Sequence, residues 1–137
     1  MPIGYLDVPT GADLATKREL VKAMYDAMHE VYPFPDDTRI FLREWPLEAV
    51  SQNGQLGSEP ARPVFTIHVP QDGKTEAKRI MISRIHEAVT HAYGLPDFMT
   101  FLHEHSLTTV AADGVILADD QQRVEEQQKV YSPPTPD

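Results

Sequence analysis

The stretch Pro2-Ile3-Gly4-Tyr5-Leu6-Asp7-Val8-Pro9 has a counterpart sixty-one residues further on, Pro63-Val64-Phe65-Thr66-Ile67-His68-Val69-Pro70. Both open on proline, run through a short apolar segment and stop at Val-Pro. At the same offset Lys17-Arg18 falls on Lys78-Arg79, Ala27 on Ala88, Tyr32 on Tyr93, and Pro35-Asp36 on Pro96-Asp97. One residue then drops out, after which Phe41-Leu42 matches Phe101-Leu102, Glu44 matches Glu104, Leu47 matches Leu107, Val50 matches Val110 and Gly54 matches Gly114. Scattered identities in one order across two stretches of about fifty residues imply a duplication. A duplicated chain must fold as two copies of one unit, so whatever the first half forms the second is expected to form too. The division expected is a single domain over 1–137, with pseudo-repeats 2–54 and 63–114 and a C-terminal tail, 115–137.

Each half reads as β-α-β. In the first, residues 3–8 form a strand with apolar residues on both faces. Asp13 is a suitable N-cap, and Leu14, Leu20, Val21, Met24, Ala27, Met28 and Val31 then recur at helical spacing as one apolar stripe. Pro33 and Pro35 forbid the helix to continue. Residues 38–45 form the second strand. In the second half, 64–69 is a strand, and 75–93 a helix with Ala77, Met81, Ile85, Ala88, Val89 and Ala92 inward, ended by Gly94. Residues 98–105 form the fourth strand, and 51–62, rich in Gly, Ser and Pro, connects the halves. The expected fold class is α+β: two tandem β-α-β units forming a four-stranded mixed sheet with two helices on one face. Two helices cannot cover both faces, yet the strands are apolar on both, so the other face is expected to pack in an oligomer. In the tail, 115–117 suits a short strand, 119–130 is polar and helix-tolerant, and 131–137 is Pro-rich and expected to be loose.

Composition narrows the function. The chain has 137 residues, 41% hydrophobic and 24% charged, and no apolar run of membrane-spanning length, which excludes a transmembrane helix. No basic-then-apolar leader opens it, and the absence of cysteine removes disulfides, thiolate catalysis and cysteine metal sites, which suits a cytoplasmic location. A formal charge of −9 argues against nucleic-acid or anionic-membrane partners. An anionic small molecule then needs a local cluster of cations.

The first candidate for chemistry is Pro2. Removal of Met1 turns its ring nitrogen into a free secondary amine at the end of a strand, a group that no other proline of the chain can offer. An α-amino group has a pKa of about 7.7–8, and burial and nearby cations lower it, so such an amine can be neutral and basic at neutral pH. The bland alternative is that Met-Pro is merely a start.

With Pro2-Ile3 opening a strand, Gly11 in the strand-to-helix turn, and Arg39-Ile40-Phe41-Leu42-Arg43-Glu44 on the second strand, residues 2–114 resemble the tautomerase superfamily in its fused, double-length form. That family includes 4-oxalocrotonate tautomerase, macrophage migration inhibitory factor, the chloroacrylic acid dehalogenases and malonate semialdehyde decarboxylase. The resemblance implies a cofactor-independent, metal-free enzyme: a keto-enol tautomerase or isomerase using Pro2 as general base on a small anionic 2-oxo acid or enol acid. It also implies a homo-oligomer, a trimer above all. Arg39 matches the family's substrate-binding arginine, and Lys74 lies in the turn that faces the proline in fused members. Arg43 and Trp45 share the face of Arg39 and join it as candidate substrate-binding residues. Each has a bland alternative, a cross-strand ion pair for the arginines and a solvated helix start for Lys74. Ala12 stands where short members carry an arginine, and Pro70-Gln71-Asp72-Gly73-Lys74 supplies one lysine where fused members often carry two arginines. Missing paired arginines weight the expectation toward plain tautomerisation. The alternatives are a hydratase, dehalogenase or decarboxylase of a 3-carbon acid, with protonated Pro2 and an acid such as Asp72 or Glu44, and a non-catalytic oligomer of the same fold. Tyr5, Phe34, Trp45 and Phe65 are read as packing residues that dry the site. His103 and His105 alternate onto one face with His68 nearby, a weak metal signal set against a polar strand face at a subunit seam.

Overall fold

A computed structural model describes residues 2–34, 38–95 and 98–131; the proposed match of Pro35-Asp36 to Pro96-Asp97 and the Pro-rich end beyond residue 131 lie outside these. The elements, in chain order, are β1 (Ile3–Pro9), α1 (Leu14–Val31), β2 (Arg39–Trp45), β3 (Ser51–Gln52), β4 (Gln55–Leu56), β5 (Val64–Pro70), α2 (Thr75–Tyr93), β6 (Met99–His105), β7 (Ala111–Ala112), β8 (Val115–Ile116) and α3 (Gln121–Tyr131). The helix and strand positions expected for the two repeats hold to within a residue at each end. Asp13 caps α1, its carboxylate accepting the Thr16 N–H at 2.8 Å. Gly94 ends α2 at φ 64°, a left-handed conformation that costs a glycine little.

The main sheet is mixed, in the order β2-β1-β5-β6. β1 runs parallel to β2, β5 parallel to β6, and the two pairs join through antiparallel β1 and β5. Tyr5 is the register partner of Thr66, its own counterpart sixty-one residues on, so a pseudo-two-fold axis passes between them. The residue lost from the second half shows in the register: Ile3 lies opposite Arg39, thirty-six on, but Val64 lies opposite Met99, thirty-five on.

One face carries the core. Leu6, Val8, Phe65, Ile67 and Val69 meet Leu20, Met24, Met28 and Val31 of α1 and Met81, Ile85 and Val89 of α2. Each fully buried side chain of this size contributes about 1.5–3 kcal/mol. Leu14, expected inward, is instead 59% exposed, because it sits at the first turn of α1, beyond the edge of the sheet. The other face leaves Phe41 46%, Trp45 43% and Phe101 45% exposed.

Two parts differ from expectation. The segments after β2 and β6 form matching hairpins, β3-β4 and β7-β8, turned by Asn53-Gly54 and Asp113-Gly114 with all four φ values positive. The tail holds a third helix, α3, whose Val130 and Tyr131 pack on the core; Tyr131 ends this helix rather than beginning a loose segment.

The close approach of β1 to β5 depends on Gly4. A Cβ there would lie 2.6 Å from the Phe65 ring. Gly4 and Phe65 are repeat counterparts, so one half leaves the space that the other fills. We expect Gly4→Ala to destabilise the fold by about 1–3 kcal/mol and Phe65→Leu in the same chain to restore part of it. Thermal unfolding of the two variants checks this; an unchanged midpoint for Gly4→Ala rules out the described seating of the ring.

Candidate active site

The site begins where β1 begins. The Pro2 side chain is fully buried, and its carbonyl accepts the Arg39 N–H at 3.2 Å, which ties the first residue to β2. Its neighbours along and across the sheet, Ile3 and Arg39, line a cavity of about 710 Å³. β5 and β6 contribute His68 and His105 to the same cavity, and α3 closes it with Arg123, Glu126 and Gln127. One carboxylate oxygen of Glu126 is buried with no protein partner.

His68 Nδ1 and His105 Nε2 are 2.8 Å apart, a hydrogen bond in which one ring donates and the other accepts. The His68 ring stacks on His103 at 4.9 Å and on His105 at 5.1 Å, and meets the Tyr5 ring edge-on at 6.1 Å. Burial lowers the proton affinity of His68, and the neighbouring His105 and His103 lower it further. The three rings stack instead of converging. Among the described residues no group of three or more His, Asp or Glu is arranged to hold a metal ion.

The matching positions in the first half are occupied differently. Asp7, Arg43 and Trp45 stand where His68, His103 and His105 stand in the second. Arg43 Nη2 and Trp45 Nε1 each donate to the Asp7 carboxylate at 2.8 Å, and the Arg43 guanidinium lies 4.8 Å over the Tyr5 ring. Asp7 and Trp45 border a second cavity of about 280 Å³ beside internal residues 61–64. The four residues expected to bind substrate are therefore separated. Arg39 lines the large cavity, Arg43 and Trp45 lie at the opposite end of β1, and Lys74 is exposed at the N-cap of α2. His68, Arg123, Glu126 and Gln127 were not anticipated at the site. His68 carried a signal, because the repeat aligns it with Asp7; α3 carried none beyond helix tolerance.

α3 is fastened by aromatic rings. Tyr131 meets Phe34, a cavity-lining residue, edge-on at 6.1 Å. Tyr32 is fully buried, and a Cβ on Gly73 would stand 3.1 Å from its ring. The hydroxyls of Tyr32, Tyr93 and Tyr131 are buried without a protein partner. Burial first, and then Tyr131 and Glu104 for Tyr32, Asp72 and Glu104 for Tyr131, and Glu44 for Tyr93, push these phenols above the ordinary value. The two glutamates are held by counterpart ion pairs, Lys17 to Glu44 at 2.7 Å and Lys78 to Glu104 at 2.8 Å.

Comparison with solved structures places this architecture. Native fused 4-OT superposes with a TM-score of 0.74 at 22% identity, covering 83% of this chain and 94% of that one. A second fused 4-OT, a symmetric trimer, gives 0.72 at 23% identity over the same shares. The chain has the tautomerase fold in its fused form. Malonate semialdehyde decarboxylase is also similar to this tautomerase fold, with a TM-score of 0.60 at 20% identity over 80% of this chain and 88% of that one. No protein-family model matches the sequence, and a search of curated proteins finds no match either.

The three buried phenols give a pH prediction. Raised values mean that the fold favours the neutral form. Their contribution is complete below pH 10, the ordinary value, and is lost as pH rises above it toward the folded-state values. We expect tyrosinate absorbance from these three residues to appear late and together with loss of helical circular dichroism. Their ionisation near pH 10 with the helices intact contradicts this packing.

Proposed function

We propose that the chain is a cofactor-independent keto-enol tautomerase in which the Pro2 amine, uncovered when Met1 is removed, is the general base. The observation that carries this reading is the position of Pro2: its ring is buried at the start of β1, and Ile3 and Arg39 on either side of it line the larger cavity. Its counterpart Pro63 is internal, with its nitrogen locked in a peptide bond, and its neighbours Arg62 and Val64 line the smaller cavity. Burial lowers an amine's proton affinity and a nearby guanidinium lowers it further, which makes Pro2 a base at neutral pH. The substrate class is a 2-oxo acid or its enol. Arg39 polarises the carbonyl or holds the carboxylate; Lys74, exposed at the start of α2 and not a cavity-lining residue, adds positive charge only where assembly brings it to a substrate.

Arg43 and Trp45 reach a substrate only if assembly carries their end of β1 to another subunit's cavity. A homotrimer fits the apolar outer face of the sheet. It is also the assembly of one of the fused 4-OT structures that this chain resembles. No helix of the described residues is long and apolar enough to cross a membrane, and the lack of cysteine suits a reducing cytoplasm.

One observation favours the second reading, a hydratase, dehalogenase or decarboxylase. The acids that line the cavity are Glu126 and Asp113, whereas Glu44 is paired with Lys17 and neither it nor Asp72 lines the cavity. With Pro2 protonated, Glu126, one oxygen of which has no protein partner, would activate water in this reading. A non-catalytic oligomer remains if Met1 stays on the chain.

Mass spectrometry of the N-terminus and rate assays with phenylenolpyruvate and 2-hydroxymuconate separate these readings. We expect Met1 to be absent and Pro2→Ala to lower kcat/KM by about 10²–10⁴-fold, the usual contribution of a positioned base. Undiminished turnover in Pro2→Ala, or a retained Met1, ends the proposal; halide or CO₂ release from 3-carbon acids moves it to the second reading.

A further inference from the structure

We propose that His68 is a catalytic residue of the large cavity: its Nε2–H donates to the oxygen that becomes negative as the substrate gives its carbon-bound proton to Pro2. His105, bonded to His68 Nδ1, is the positioning residue that selects this tautomer. The proposal rests on the reading of Pro2 as base.

The register puts His68 directly opposite Ile3, the residue that follows Pro2. Both His68 and Ile3 line the cavity, so the imidazole borders the same space as the residue bonded to Pro2. With Nδ1 engaged by His105 at 2.8 Å, Nε2 is the nitrogen left for a ligand. A neutral imidazole carries one proton, and the bond made by one nitrogen decides where it sits. When His105 donates through Nε2–H, Nδ1 of His68 accepts and the His68 proton lies on Nε2. A negative oxygen in the cavity stabilises this tautomer, because the other turns a lone pair toward it. In the chemical step the carbon–hydrogen bond breaks, its electrons move to the carbonyl oxygen and the proton goes to the Pro2 nitrogen. His68 transfers nothing; its N–H meets the charge.

The fold does not need imidazole here. At the three counterpart positions Asp7, Arg43 and Trp45 satisfy one another through two 2.8 Å bonds, and the same strand pairing is built. Three histidines replace them in the half that lines the larger cavity beside Pro2. The groups facing His68 are Tyr5 on β1 and His103 and His105 on β6. Arg39 of β2, Arg123 and Glu126 of α3 and Asp113 of the β7-β8 turn line the same cavity. Lowered proton affinity keeps His68 a neutral donor, so it adds no second full charge beside the amine.

The test reads the proton directly. Long-range ¹H–¹⁵N spectra of the uniformly labelled chain with phenylpyruvate added are expected to show His68 protonated on Nε2, and His105→Phe to mix the two tautomers. With phenylenolpyruvate, His68→Leu is expected to lower kcat about 100-fold with KM within about threefold, and His68→Gln, which keeps a donor, to recover about tenfold of that loss. A His68 proton on Nδ1 in the phenylpyruvate-bound chain overturns the proposal, as does a His68→Leu variant as active as the parent. Full activity in Pro2→Ala removes the base instead, and the His68 spectrum still answers for the histidine alone. Should His68→Leu fail to fold, the spectrum and the Gln variant decide.

Discussion

The antiparallel contact between β1 and β5 is the joint on which everything else depends. A β-α-β unit of two strands and one helix buries one side of a ribbon too narrow to be stable alone. Joining two such units at β1 and β5 makes a sheet of four strands and brings α1 and α2 side by side on it. The joint is close because it is asymmetric: Gly4 leaves the space into which its counterpart Phe65 projects. A true two-fold would put phenylalanine against phenylalanine or glycine against glycine, a clash or a cavity. Divergence of the halves was therefore a condition of close packing at the axis as well as a source of new chemistry.

With both helices on one side, the opposite face must be handled by other means. Part of it is covered within the chain, where Tyr5 stacks on Phe41 at 5.4 Å and Asp7 gathers Arg43 and Trp45. Phe41, Trp45, Met99 and Phe101 nevertheless stay exposed on this face, apolar groups of the kind that mark an interaction site. Alternation along the strands puts Arg39, His68 and His105 on this same face. Whatever covers the sheet thus borders the large cavity, so assembly and substrate access are coupled by the pleat itself.

Much of the fold was legible in the sequence because its signals are local. Proline at each strand start, Asp13 and Gly94 at helix ends, and the spacing of Met24, Met28, Met81 and Ile85 each need only a few neighbouring residues to be read. The matched hairpins were legible too, in Asn53-Gly54 and Asp113-Gly114, although the connecting segment was read only as a linker. What local pattern cannot supply is the register between distant strands. Seeing that His68 meets His105 requires β5 beside β6 in parallel, with the second half one residue shorter. α3 was less legible still. Its residues are almost all polar, and its attachment rests on Val130 and Tyr131 at the last turn, too few apolar positions to form a stripe.

The two ends of the sheet have become chemically unequal for a reason that begins with chain connectivity. Of the two equivalent prolines, Pro63 follows the connecting segment with its nitrogen bound in a peptide, and on the proposed reading Pro2 alone offers a free amine. At the Pro63 end Asp7 pairs with Arg43 and Trp45, and Asp7 and Trp45 border a cavity of about 280 Å³. At the other end polar side chains, among them Arg39, His68 and His105, line a cavity. The larger cavity of about 710 Å³, walled by α3, removes them partly from water without filling the space. A buried polar atom with no protein partner, such as the Glu126 oxygen, costs free energy in the empty site. That cost is tolerable where a ligand supplies the missing hydrogen bond, and Glu126 lines the large cavity together with Pro2's neighbours Ile3 and Arg39.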